Sequence, residues 1–226
     1  MKSSDTLVLN HETGTLASAP EANRVLRNTY WLLSLTLLFS AAIAATSASL
    51  GLPHPGLIIT LIGYFGLLFL TTKLRNSTWG LLSVFALTGF MGYTLGPIIS
   101  HYLTMQNGHQ IVTMAMTSTA AIFLGLSVYA TTSRRDFSFL GGFLMVGIIV
   151  AFLAGLGAIF FAIPALSLTV SAAFVLLMSG LILYQTSQII HGGETNYIMA
   201  TVTLYVSIFN LFTSLLHLLG VLNSDD

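Results

Sequence analysis

Seven long apolar segments dominate the sequence and limit what it can fold into. Each has about the ~20 residues that a helix needs to cross the hydrocarbon core of a bilayer. Only 6% of the 226 residues are charged, against about 25% in a soluble domain, so the chain has too few ionised side chains to cover a water-soluble fold. The sequence therefore predicts an all-α integral membrane protein, a seven-transmembrane-helix bundle. The predicted spans are residues 29–50, 56–72, 79–102, 110–132, 137–162, 164–190 and 197–221.

The basic residues predict how this bundle is oriented. All seven fall in the N-terminal segment or in the loops that follow spans 2 and 4: Lys2, Arg24, Arg27, Lys73, Arg75, Arg134 and Arg135. The loops on the other side, near residues 53–55, 103–109 and 163–164, carry no charged residue. Short loops rich in Lys and Arg stay in the cytoplasm, so the N-terminus is expected there.

The polar remainder of the chain is small. Residues 1–23 are too polar to bury a core and are expected to form a flexible cytoplasmic tail. Residues 24–222 form the membrane domain, and residues 223–226 form a short C-terminal tail. The formal net charge of zero gives no reason to expect nucleic acid as a partner. The absence of cysteine excludes disulfides and thiolate metal sites.

The last predicted span carries a stripe of polar residues. Its members follow one another at spacings of 4, 3, 4 and 3, which places them on one helical face: Thr203, Ser207, Asn210, Ser214 and His217. Polar groups in lipid cost free energy unless they face protein or water, so helix 7 is predicted to be central. The stripe either joins helices by hydrogen bonds or lines an ion or proton path. No Asp or Glu lies within the spans, which weighs against a cation path.

Other features suggest how the helices meet. A polar patch near the end of span 6 is a possible partner for the stripe, and it includes Gln185. Pro97 follows Gly96 inside span 3 and should kink the helix, leaving a carbonyl that neighbouring helices must satisfy. The kink is either architectural or opens a polar pocket, in which His101 could be the titratable group. Three sets of small residues are candidate contact faces: Ala41/Ala45/Ser49, Gly89/Gly92/Gly96 and Gly147/Ala151/Gly155.

No pattern typical of an enzyme is present. The six histidines show no metal-ligand spacing, and there is neither a His-Glu-x-x-His helix nor a pair of intramembrane aspartates. The nearest candidate is the loop sequence His191, Gly192, Gly193 and Glu194. Its glycines are expected to turn the chain, and Glu194 or Thr195 to cap helix 7; metal binding is the alternative. We therefore expect no catalytic residue, no metal and no cofactor.

Several motifs in order resemble the Bax inhibitor-1 family over roughly residues 22–222. They are TGFMGYTLGPII at 88–99, DFSFLGG at 136–142, LYQT at 183–186, IIHGGETNY at 189–197 and LYVSIFNLF at 204–212. The resemblance implies a seven-helix fold with the last helix at the centre, which agrees with the polar stripe.

The resemblance also implies a function. It is strongest to bacterial members that modulate the ATP-dependent inner-membrane protease FtsH by acting as poor substrates that occupy and inhibit it. The implied protein is a non-enzymatic, multi-pass protein of the bacterial inner membrane, whose partners are the lipid bilayer and FtsH, with or without that protease's membrane-associated regulators. The tail at residues 1–23 is then the segment that the protease would grip.

A second implied function is an ion leak of calcium or protons. Family members that leak calcium in a pH-dependent way use a pair of aspartates, and the matching positions here are Gln185 and Ser207. These side chains do not titrate in that range, so the family's pH switch is expected to be absent. A hydrogen bond between Gln185 and Ser207 is hypothesised instead. Arg75 lies near the position of a partner arginine in those members.

Overall fold

The computed structural model describes residues 19–223, and this part of the chain is helical apart from short connections. Its seven helices are all long and apolar enough to cross a membrane. The prediction of a seven-helix membrane bundle is thereby confirmed. The helices are α1 Ala19–Ser49, α2 Leu57–Leu74, α3 Trp79–Leu103, α4 Gly108–Ser133, α5 Leu140–Phe160, α6 Pro164–Ile190 and α7 Tyr197–Leu222.

The start of α1 is the main difference from the predicted boundaries. The other helix ends agree within three residues, but α1 begins at Ala19 instead of residue 29 and has 31 residues. At 1.5 Å per residue it is about 46 Å long, so it extends well past the ~30 Å hydrocarbon core. Pro20 and Glu21 favour a helix start, since proline suits the first turn and an acid suits the positive end of the helix dipole. Residues 19–23 of the predicted tail are therefore helical, and its residues 1–18 lie outside the described residues.

Helix α7 lies at the centre of the bundle, as the sequence predicts. It contacts α1, α3, α4 and α6, whereas α2 packs mainly on α3, and α5 mainly on α6. In the most apolar 18-residue window of each helix, 44% of the residues are buried in α3 and α7, against 17% in α5 and 6% in α2. The inner helices and the outer helices therefore differ sharply in what surrounds them.

Small residues bring α1 and α3 into close contact. A Cβ atom on Gly92 would lie 2.4 Å from the carbonyl oxygen of Ser40, and one on Gly96 would lie 2.6 Å from Cβ of Ser47. Helix 3 thus uses the predicted glycine face. The predicted face of α1 is wrong, because Ala41, Ala45 and Ser49 are exposed and the contact face is formed by Ser40, Ala44 and Ser47.

The contact between α5 and α6 follows the predicted small-residue face. A Cβ atom on Gly147 would lie 2.7 Å from Cδ2 of Leu177, and one on Gly155 would lie 3.5 Å from Cγ1 of Val170. Ala151, between the two glycines on the same face, is buried.

The two ends of the bundle differ in charge. One end, which we call the basic end, contains the start of α1 and the α2–α3, α4–α5 and α6–α7 connections. Hydrogen bonds join these connections to one another, as between Asn196 Nδ2 and the Arg75 carbonyl, 3.1 Å, and between His191 Nε2 and the Arg134 carbonyl, 3.1 Å. Every Lys and Arg of the described residues lies at this end, and the connections at the opposite end carry none.

Candidate functional site

A tyrosine at the bundle centre joins three helices. The Tyr205 hydroxyl lies 2.5 Å from Oγ of Ser40 on α1 and donates to the Thr88 carbonyl of α3 at 3.2 Å. The Tyr205 side chain is only 1% exposed. Sequence reasoning missed this residue because it lies off the polar stripe of helix 7. The available signal was its place in mid-span, since tyrosines in membrane helices concentrate at the interfaces.

Two members of the predicted polar stripe bond to their own helix. Ser207 is fully buried, and its Oγ donates to the Thr203 carbonyl at 2.7 Å. Asn210 Nδ2 likewise donates to the Val206 carbonyl at 2.8 Å. Ser214 is buried at 8% exposure. The hydrogen bonds of Ser207 and Asn210 therefore hold these two side chains against the α7 backbone and do not join α7 to another helix.

His217 is the stripe member that reaches another helix. Its Nδ1 lies 2.8 Å from Oγ of Ser171 on α6, and its Nε2 lies 3.5 Å from Oγ of Ser167. Ser171 Oγ also lies 3.1 Å from the Ser167 carbonyl oxygen. The Ser171 hydroxyl can bond His217 Nδ1 in either tautomer of the ring, so this contact ties α6 to α7 in the half of the bundle away from the basic end.

The hypothesised Gln185–Ser207 hydrogen bond is not present. Gln185 is buried at 5% exposure, and its Nε2 has no hydrogen-bond partner among the described residues. Ser207 uses its hydroxyl on its own helix, as serines in helices readily do. Neither side chain is a carboxylate, so the geometry provides no coupled acid pair at these positions.

The carbonyl that Pro97 leaves without a helical donor receives a hydrogen bond from a neighbouring helix. Pro97 has no N–H, so the Tyr93 carbonyl four residues earlier loses its helical donor. Ser47 Oγ of α1 donates to that carbonyl at 3.1 Å. Gly96 leaves the space in which Ser47 sits, so the glycine, the proline and the serine act together. His101, in contrast, is exposed near the end of α3, and its place in a polar pocket beside the kink stays a hypothesis.

The loop residues His191–Glu194 fasten the connections at the basic end. His191 Nδ1 lies 3.3 Å from Oγ of Ser187, which in turn accepts from the Phe137 N–H at 3.0 Å. Gly192 has φ +77°, a left-handed conformation that glycine adopts without strain. A Cβ atom on Gly193 would lie 2.2 Å from Oε1 of Gln188, so a larger residue there would have to displace the Gln188 amide.

The cap of α7 differs from the expected one. Asn196 is the N-cap, and its Oδ1 accepts from the N–H groups of Ile198 and Met199 at 3.0 and 3.1 Å. Glu194 acts one step earlier, because its Oε1 accepts from the Asn196 N–H at 2.8 Å. Asn196 also donates from Nδ2 to Oδ1 of Asn76 at 2.8 Å. Among residues 19–223, no group of three His, Cys, Asp or Glu side chains is placed to hold a metal.

One acidic side chain in the α4–α5 connection is anchored by its neighbour. The Asp136 carboxylate accepts hydrogen bonds from the hydroxyl and the N–H of Ser138. The hydroxyl bond, followed by the N–H bond, holds the pKa of Asp136 below its usual range. Gln188 Nε2 of α6 donates to the same Ser138 hydroxyl at 2.7 Å, which links this turn to the α6 end.

A cavity of about 300 Å³ opens at the basic end between α1 and the α6–α7 connection. The lining residues are Glu21, Ala22, Arg24, Val25, Ile189, Gly192, Glu194 and Thr195.

Comparison with known proteins places the chain among related membrane proteins. The family model described as "Inhibitor of apoptosis-promoting Bax1" matches residues 22–224. A protein of Escherichia coli strain K12 named "Modulator of FtsH protease YccA" is 53% identical over 96% of this chain and 97% of that protein. A protein named "Inner membrane protein YccA" from E. coli O6:H1 gives the same values. An uncharacterized protein of Pseudomonas aeruginosa is 56% identical over 93% of this chain and 95% of its own length.

Proposed function

The chain belongs to the Bax inhibitor-1 family, and we propose that it is a non-enzymatic, inner-membrane modulator of the ATP-dependent protease FtsH. The observation that carries this proposal is the 53% identity to the E. coli protein named as a modulator of FtsH. The two chains align over nearly their whole lengths, so the shared part includes every helix described above. None of the names of the similar proteins given above denotes a catalysed reaction.

We propose that the basic end faces the cytoplasm, where the protease could grip the residues that precede α1. The concentration of Lys and Arg at that end supports this orientation. Helix α1 extends beyond the bilayer at the same end, and residues 1–18 precede it. A protease that pulls on those residues would therefore load α1 before any other helix.

The contacts of α1 suggest why such a protein would be a poor substrate. Pulling α1 out must separate Ser40 from Tyr205 at the bundle centre and Ser47 from the Tyr93 carbonyl. It must also break the bond from Thr201 Oγ1 on α7 to the Thr29 carbonyl, 3.3 Å. In the bilayer the freed polar groups gain no water, so extraction is costly. An engaged but slowly extracted protein occupies the protease and so inhibits it.

Deleting residues 2–17 tests this proposal. The shortened protein should be degraded more slowly in cells with active FtsH, because the protease has less chain to grip. A matched control replaces residues 2–17 by a Gly/Ser segment of equal length, which should restore degradation. Half-lives are measured by pulse–chase, and FtsH is sought in purifications from native membranes in mild detergent. An unchanged half-life together with no co-purified FtsH would contradict the proposal.

An ion leak is a second candidate function, favoured by one observation. The resemblance matches Gln185 to the position of an aspartate in the calcium-leaking members, and its buried Nε2 has no hydrogen-bond partner among residues 19–223. Calcium and proton flux, measured with purified protein in dye-loaded liposomes, tests this second function. The absence of calcium or proton flux above empty vesicles from roughly pH 5 to 8, which brackets the ordinary His pKa of about 6.5, would exclude a leak. If flux occurs, Ser207→Asp should strengthen its pH dependence.

A further inference from the structure

Six buried polar atoms have no hydrogen-bond partner in the part of the chain that the structure describes. All lie on the halves of α1, α4 and α6 nearest the basic end. They are Thr29 Oγ1, Tyr30 OH, Ser127 Oγ, Ser133 Oγ, Gln185 Nε2 and Thr186 Oγ1. Thr29 and Thr186 are 0% exposed, and Gln185 and Ser127 are 5% exposed. Burying a polar group without a partner costs free energy, so we expect these atoms to bind a hydrogen-bonding ligand.

Equally buried hydroxyls elsewhere on the same helices are satisfied. Thr36 on α1, also 0% exposed, donates to the Leu33 carbonyl at 2.9 Å. Thr119 on α4, 5% exposed, donates to the Ala115 carbonyl at 2.7 Å. A helical Ser or Thr can always reach a carbonyl of the preceding turn. The hydroxyls of Thr29 and Ser127 make no such bond, although the same acceptors exist on their own helices.

The unpartnered atoms begin where the cavity at the basic end stops. Val25 lines the cavity, and Thr29 lies one helical turn further along the same face of α1. Ile189 lines it from α6, and Gln185 and Thr186 lie one turn further in. These polar side chains thus lie one helical turn inward from residues that line the cavity.

An apolar layer closes the bundle beyond this region. Ile182 and Leu204 are 0% exposed and Leu33 is 2% exposed. Tyr205 lies in the same layer, and its hydroxyl is already engaged with Ser40 and Thr88. The polar region is therefore bounded on its inner side.

We propose that the cavity continues inward as a hydrated pocket whose ligand is water, and that this pocket ends at the apolar layer. The cavity, about 300 Å³, has room for several waters, since one water needs about 10–15 Å³ of such volume. The inner lining consists of hydroxyls and one amide, with no carboxylate to replace the hydration shell of a cation. The pocket therefore suits an uncharged hydrogen-bonding ligand and does not form a path across the membrane. This inference does not depend on the proposed action on FtsH.

Single-cysteine labelling tests the pocket, and the absence of native cysteine makes the background clean. Thr29→Cys and Thr186→Cys place a thiol in the proposed pocket. Thr36→Cys is the control on α1, and Ser83→Cys is a control near the basic end, because Ser83 is 4% exposed and donates to the Gly80 carbonyl at 2.8 Å. Each variant in membranes is treated with N-ethylmaleimide. Since maleimides react with thiolates, which form only where water reaches, the first two should react at least about tenfold faster than the controls.

A second substitution tests whether the reagent reaches the pocket through the cavity. Val25→Trp should fill part of the cavity and slow labelling of Thr29→Cys. Asn23 is exposed and lies outside the lining, so Asn23→Trp should leave the rate unchanged. Monodisperse elution in mild detergent and full labelling after SDS denaturation verify each variant. Rates at Thr29→Cys and Thr186→Cys no faster than at the controls would overturn the hydrated pocket. Fast labelling that Val25→Trp does not slow would overturn its continuity with the cavity.

Discussion

The outer helix α5 and the inner helix α7 show that apolarity does not decide which helix is buried. The apolar window of α5 has the highest mean hydropathy of the seven spans, yet only 17% of its residues are buried, against 44% in α7. Lipid tails are as apolar as leucine, so an apolar surface gains nothing by moving inward. Helices go to the centre because their polar and small side chains find partners there. The inner helices should therefore be sensitive to changes that are harmless on the outer ones.

The largest expected effect comes from a methyl group between two inner helices. Gly92→Ala would place Cβ 2.4 Å from the Ser40 carbonyl oxygen, a backbone atom that cannot turn aside. We expect the free energy of unfolding to fall by about 3 kcal/mol, at the upper end of overpacking costs. The matched control is Gly66→Ala on α2, where nothing lies within 4 Å. Thermal unfolding in mild detergent gives the midpoints of both variants. Equal midpoints would contradict the difference in sensitivity between inner and outer helices.

Removal of the central hydroxyl should have the next largest effect. Tyr205→Phe deletes the contacts with Ser40 and with the Thr88 carbonyl and leaves the buried Ser40 hydroxyl without its partner, which costs about 2 kcal/mol. Tyr129→Phe is the control, because Tyr129 on α4 is 46% exposed and should tolerate the change. If both substitutions shift the unfolding midpoint equally, the hydroxyl of Tyr205 does not stabilise the bundle.

A smaller effect is expected at the proline step. Ser47→Ala removes the hydrogen bond to the Tyr93 carbonyl, and interhelical bonds in membranes are worth about 0.6 kcal/mol on average. Pro97→Ala restores a helical N–H for the same carbonyl, so the cost of Ser47→Ala should shrink in that background. A double-mutant cycle of unfolding free energies measures this coupling. Additive effects would show that Ser47 does not compensate for the proline.

The smallest effect is expected outside the membrane, at Asp136. Hydrogen bonds from Ser138 lower its pKa in the folded protein. The stabilising contribution is therefore present above the ordinary Asp pKa of about 3.9 and is lost as the pH falls through the lowered value. Asp136→Asn should slightly lower the unfolding midpoint at pH 7 and have no effect once the carboxyl is protonated. A difference that persists at low pH would assign the effect to something other than this charge.

The sequence alone determined the number of helices, their class and the end at which the basic residues gather. These are local properties, because a span needs only enough consecutive apolar residues and the charges fall in the gaps between spans. The polar stripe of α7 also predicted the central helix correctly. Among the helix boundaries, the start of α1 was not predicted, since residues 19–28 are helical without being apolar.

Only the tertiary structure decided which side chains meet. Small residues occur on every face of α1 between Ser40 and Ser49, so no sequence pattern could distinguish Ser40, Ala44 and Ser47 from their exposed neighbours. A helical hydroxyl can bond its own backbone, another helix or water, and the choice depends on atoms far away in the chain. For that reason the bridge at Tyr205, the donor for the Tyr93 carbonyl and the unpartnered Gln185 amide all depend on how the helices are placed together.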